Sequence, residues 1–87
     1  MTSEDIRVYT RALPFKPFRV TLTNGEEFDI RHPETIMAAG GMVYLLREAS
    51  RHPEMLGVPA VHAALTHVLK IEYLTPAAAP PVDRSTV

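Results

Sequence analysis

The amino-acid sequence predicts a mainly β domain: one N-terminal helix packed on a small, strongly bent five-stranded barrel. Three observations carry this. Apolar residues recur at helical spacing only near the start, as Ile6, Tyr9 and Leu13. From Phe18 to Arg31, apolar and polar residues alternate with period two on both sides of Asn24-Gly25. Further short apolar runs follow, each bounded by Gly or Pro signals. Five short strands behind one helix cannot cover both faces of an open sheet, and closing the sheet removes its exposed edges.

The helix is expected over residues 2–13. Thr2 or Ser3 can cap it, with Thr2 and Asp5 at capping-box spacing, and Glu4 and Asp5 sit where the helix dipole favours negative charge. Pro14 and Pro17 end it and force an extended connection. Residues 18–31 form a hairpin. Phe18, Val20 and Leu22 point one way, Arg19, Thr21 and Thr23 the other, and Phe28 and Ile30 continue the inner face. Asn24-Gly25 suits a type I′ turn, which needs positive φ at both central positions.

His32-Pro33 interrupts the ladder, because proline has no N–H to give. Thr35 to Ala38 reads as a short strand or as the bent continuation of the second strand. Gly40-Gly41 is a turn, and Met42 to Arg47 is a nearly continuous apolar run that suits a buried central strand. Residues 48–59 form a loop, Val61 to Ala64 a fourth strand, Leu65-Thr66-His67 a tight turn, and Val68 to Leu74 the last strand. The domain thus covers residues 1–74. Residues 75–87, rich in Pro and Ala, read as a disordered tail.

Composition excludes several classes. At 87 residues the chain makes one small domain, and 46% hydrophobic residues is too many for a disordered chain. No apolar run is long enough to span a membrane. Met1 to Asp5 lacks a basic region ahead of an apolar stretch, so no signal peptide is expected and the protein reads as cytoplasmic. No cysteine is present, which rules out disulfides, thiolate zinc sites and a cysteine nucleophile. A net charge of −1 supplies no global field for nucleic acid or anionic membranes. There is no phosphate-cradling glycine loop, no dinucleotide fingerprint and no Gly-x-Ser-x-Gly elbow, so no cofactor is implied.

The order of elements resembles the Sm-like fold, in which an N-terminal helix precedes a bent five-stranded sheet with one helical turn before the last strand. Val20-x-Leu22-x-Asn24-Gly25-x-x-Phe28 resembles the first Sm-like hairpin, and Val61 to Ile71 its closing segment. A second resemblance rests on residues. Pro14-Phe15-Lys16-Pro17-Phe18-Arg19, Leu22-Thr23-Asn24-Gly25, Phe28-x-Ile30-Arg31-His32-Pro33-Glu34 and Leu65-Thr66-His67-Val68-x-x-Ile71-Glu72 are similar to a family of short uncharacterised bacterial proteins. It implies a bacterial origin and brings no activity with it. The Sm-like resemblance implies RNA binding, and here the sequence departs from the pattern. Ile36-Met37-Ala38-Ala39 is apolar where a polar base-binding residue is usual. Ile30 replaces a hairpin glycine. Val61-His62-Ala63 only loosely echoes a basic-histidine element.

Several residues could carry function. Arg-His-Pro-Glu occurs twice, at Arg31–Glu34 and Arg51–Glu54. His32 and Glu34, with their second copy, could ligate a divalent metal in a metal-dependent enzyme; the plainer alternative is a proline-ended strand with solvated charges. His67 in the last turn is either a buried or half-buried residue whose ring ties that turn to the backbone or lies at a subunit seam or ligand rim, and His62 flanks the same region. Arg7, Arg11, Lys16 and Arg19 make a basic strip, and Glu26, Glu27, Asp29 and Glu34 an acidic one. These are solvated faces, a head-to-tail contact between copies, or a phosphate-binding strip. Phe15 and Phe18 pin the linker to the core.

The sequence therefore predicts a non-enzymatic interaction or assembly module. It is expected to form a homo-oligomer through edge strands or to bind a protein partner. An Sm-like RNA-binding protein is the alternative. The run Met42 to Leu46 is the main reason to expect assembly: a barrel this small buries one strand face easily and rarely both, and if that strand is an edge its second face needs a partner chain.

Overall fold

A computed structural model describes residues 1–74; the tail expected over 75–87 lies outside the described residues. The described residues fold into one helix and six strands. Helix α1 spans Ser3–Thr10, followed by β1 (Phe18–Leu22), β2 (Glu27–Ile30), β3 (Ile36–Ala39), β4 (Met42–Leu46), β5 (Ala60–Ala64) and β6 (Val68–Tyr73). The strands form two antiparallel three-stranded sheets, ordered β2-β1-β6 and β3-β4-β5. The mainly β class with one helix is as expected. The strand count is not: six strands in two sheets replace five, and the sheets do not close into a barrel.

The difference arises at His32-Pro33. A 3-10 turn, Pro33–Thr35, follows β2, and the chain then enters the other sheet as β3. Without a proline N–H the ladder cannot continue through this point, so one bent strand becomes two. The two sheets share one core, and the segment after β4 reaches back to the edge of β2. Phe28 and Ser50 form an isolated antiparallel bridge, and the Arg51 N–H donates to the Glu27 carbonyl at 3.0 Å.

Thr2 caps α1 through the expected capping box: its hydroxyl accepts from the Asp5 N–H at 3.2 Å, and its own N–H donates to Asp5 Oδ2 at 2.9 Å. The helix stops at Thr10 rather than at residue 13. Pro14 disfavours helical backbone at the residue before it, and Leu13 is left 94% exposed. Only Ile6 and Tyr9 of the expected stripe therefore face the core.

The two-residue turn expected at Asn24-Gly25 is found instead at Gly40-Gly41. Thr23–Gly25 is a three-residue loop, closed by the Gly25 N–H on the Leu22 carbonyl (2.9 Å) and the Leu22 N–H on the Glu26 carbonyl (2.8 Å). Gly25 takes the left-handed position at φ +93°. The two-residue turn with positive φ at both positions is Gly40-Gly41, between the paired residues Ala39 and Met42.

Phe18, Val20 and Leu22 of β1, Phe28 and Ile30 of β2, and Val43 and Leu45 of β4 fill the core, with Ile6 capping it from the helix. β4 is the central strand of its sheet, paired on both sides, so Met42–Leu46 is not the edge strand through which assembly was expected. In β6, Val68 pairs with Leu22 and Lys70 with Thr21, so Leu69 is the extra residue of a β-bulge.

Candidate functional site

The outward faces of the two sheets differ in kind. On β2-β1-β6 the residues alternating with the core are Arg19 and Thr21, Glu27 and Asp29, Lys70 and Glu72. They are tied by ion pairs: Arg19 Nε to Asp29 Oδ1 at 2.8 Å, Arg51 to Glu27 at 3.0 Å, and Lys70 to Glu72 at 3.4 Å. Arg31 and Arg51 both approach Asp29 Oδ2, at 3.8 and 3.9 Å. The hydrogen bond that Arg19 donates to Asp29 holds its guanidinium above arginine's ordinary pKa.

On β3-β4-β5 the outward positions carry no Asp, Glu, Lys or Arg. Strand β3 presents Met37 and Ala39, and β4 presents Met42, Tyr44 and Leu46. Strand β5 presents Ala60, His62 and Ala64. Met37 is 60% exposed and Leu46 39%, and His62 packs edge-on against Tyr44 with ring centroids 4.6 Å apart. The face arises because uncharged residues occupy every second position of three adjacent strands whose alternate residues line the core. Within the described residues β5 pairs only with β4, so its other edge is open.

The residues singled out from the sequence scatter. Arg7 pairs with Glu4 at 3.0 Å and reaches the Ala38 carbonyl at 3.4 Å, fastening α1 to β3. Arg11 is exposed and takes part in the helix cap only through its backbone N–H. Arg19 lies on the opposite sheet with Asp29, so the basic strip does not gather on one surface. Its counterpart, the acidic strip, holds its own arginines in Arg19, Arg31 and Arg51.

The two Arg-His-Pro-Glu copies fold alike. His32 and His52 have φ of −136° and −135°, each followed by a proline-led 3-10 turn whose third N–H returns to the histidine carbonyl. His32 and Glu34 are exposed. His32 lines a shallow hollow of about 350 Å³ with Asp29, Arg31 and Glu48. Among the described residues, no three His, Asp or Glu side chains are placed to share a metal ion.

His67 is exposed rather than buried. The turn is tied down by its backbone carbonyl, which accepts from the Thr23 N–H at 2.8 Å, while its ring Nδ1 lies 3.5 Å from the Thr23 hydroxyl. His62 and His67 line one groove of about 530 Å³ beside the open edge of β5, with Glu26 on the far wall. No protein-family model matches the chain, and no curated protein or solved structure is significantly similar to it.

Proposed function

We propose that this protein is a non-enzymatic interaction and assembly module that self-associates through the sheet β3-β4-β5. The observation that carries the reading is the outer face of that sheet, which lacks any Asp, Glu, Lys or Arg. A contiguous face without charge, left in water, is the kind of surface through which soluble proteins make contacts. The contrast with the ion-paired face of β2-β1-β6 supports it, since charge was available to this chain and is concentrated on the other side. The open edge of β5 borders the same face and supports strand pairing between copies as a second contact. The N-terminal helix and the 3-10 turn between β5 and β6 support an Sm-like reading in which the two sheets are halves of one open barrel. The resemblance to short bacterial proteins supports a cytoplasmic setting.

The test is size-exclusion chromatography with light scattering over a concentration series, at low and high salt, with the 260/280 nm absorbance ratio recorded. The expected result is a particle larger than one chain that survives high salt and carries no nucleic acid. Met37→Glu, which alters an exposed side chain, returns the particle to a folded monomer. A wild-type monomer at every concentration overturns the reading.

A further inference from the structure

Resting on that self-association, the geometry points to a second copy of this chain stacked sheet on sheet over β3-β4-β5 about a two-fold axis, in a pair that acid opens. A two-fold contact brings each surface against itself, so the surface must be self-complementary. A face without fixed charges meets that condition, because no like charges are brought together. Its relief meets it too. The central strand carries a ridge of Met42, Tyr44 and Leu46, and the neighbouring strand offers the low shoulders of Ala60 and Ala64. Turned about a two-fold axis, the ridge of one copy lies over the alanine shoulder of the other.

The size of the face sets the strength. Three strands about 4.8 Å apart, with about 3.4 Å of rise per residue, make a plane of about 14 by about 17 Å. That is well short of the roughly 800 Å² per partner in a standard interface. Such a pair exchanges with monomer as concentration changes, and a single charge in the contact is enough to shift it.

His62 is where that charge arises. It sits between Ala60 and Ala64 on the shoulder that the second copy covers, and histidine is the side chain that changes charge between about pH 5 and 8. Tyr44 faces it from β4. Across the groove on the other side of β5 stand Glu26 and His67. Glu26 accepts a hydrogen bond from Asn24 at 3.0 Å, and no carboxylate among the described residues pairs with His62. In the separated chain His62 is exposed to water. In the pair a protonated ring lies under apolar side chains without a counter-charge, which is costly. The pair therefore binds fewer protons than two monomers, and acid drives it apart.

The experiment is sedimentation equilibrium at about pH 7.5 and about pH 5.5 for the wild type, His62→Gln and His67→Gln, with circular dichroism confirming the fold at both values. The expected result is a dissociation constant about tenfold or more higher at the lower pH for the wild type and for His67→Gln. His62→Gln gives one constant at both. A wild-type pair indifferent to pH, or a shift that persists in His62→Gln, overturns the acid-opened pair and leaves self-association standing. A wild-type monomer at both pH values removes both.

Discussion

Arg19 and Asp29 stand opposite each other on the β1–β2 ladder, and the Arg19 Nε donates to Asp29 Oδ1 at 2.8 Å. The remaining oxygen of that carboxylate has Arg31 and Arg51 within 4 Å. One half-buried acid thus balances three guanidiniums from three separate segments. The two arginines of the repeated tetrapeptide meet here, which gives the repeat a structural purpose.

Asp29→Ala leaves Arg19, a guanidinium only a quarter exposed, without its partner. The expected loss is about 1–3 kcal/mol, the range for stranding a partly buried polar or charged group. Arg31→Ala removes a side chain that is 63% exposed and contacts Asp29 only at 3.8 Å, so about 0.5 kcal/mol or less is expected. Urea unfolding midpoints separate the two. Equal losses would show that the carboxylate is not the shared hub.

The backbone N–H of Thr2, and then its hydroxyl, hold Asp5 below the ordinary aspartate pKa. A carboxyl lowered in the folded state adds stability above its unfolded value, near about 3.9, and that stability is lost as pH falls below this through the folded value. The wild type should therefore lose stability more steeply than Asp5→Asn between about pH 4 and about pH 2. Thermal melts across that window check it. Parallel curves would remove the capping box as the source.

Thr21 is 7% exposed, and its hydroxyl has no hydrogen-bond partner among the described residues. Valine keeps the branched shape and drops the unsatisfied oxygen. Thr21→Val should raise stability by about 1 kcal/mol. A loss instead would mean that water or another group satisfies the hydroxyl in solution.

Phe28 is fully buried in the core that both sheets share, and its backbone bridges to Ser50 in the segment after β4. Phe28→Ala should cost about 3–5 kcal/mol and lower Tm by more than about 12 °C in a domain this small. Phe28→Leu, which refills most of the volume, should remain folded and fall between. Calorimetry of the pair distinguishes a cavity cost from a general loss of the hairpin.

Local chemistry made much of the fold legible. Thr2 and Asp5 announce the cap, and Pro33 announces the break in the ladder. Phe18, Val20, Phe28 and Ile30 announce an inner face by alternation alone. The glycine turns were legible as turns and not as types, because loop length depends on which residues pair across it. Pro33 marked the bend without showing that the chain changes sheets there. The uncharged outer face of β3-β4-β5 was only half legible. Met42 to Leu46 drew notice as one apolar run, but Met37, Ala60 and Ala64 join it only through strand register. Asp29 drew notice only as one acid in a strip. Its importance comes from Arg51, which arrives from a loop on the other side of the strand.

The bulge at Leu69 bears on what happens when this protein is concentrated. Exposed strand edges are the usual starting points of fibrous growth, in which one chain after another adds in matching register. Strand β6 is such an edge, and its extra residue shifts the register partway along its length. An incoming straight strand can match it on one side of Leu69 only, so lengthening of that sheet halts where it begins. The bulge therefore works against strand addition at the edge of the sheet that carries the ion-paired face.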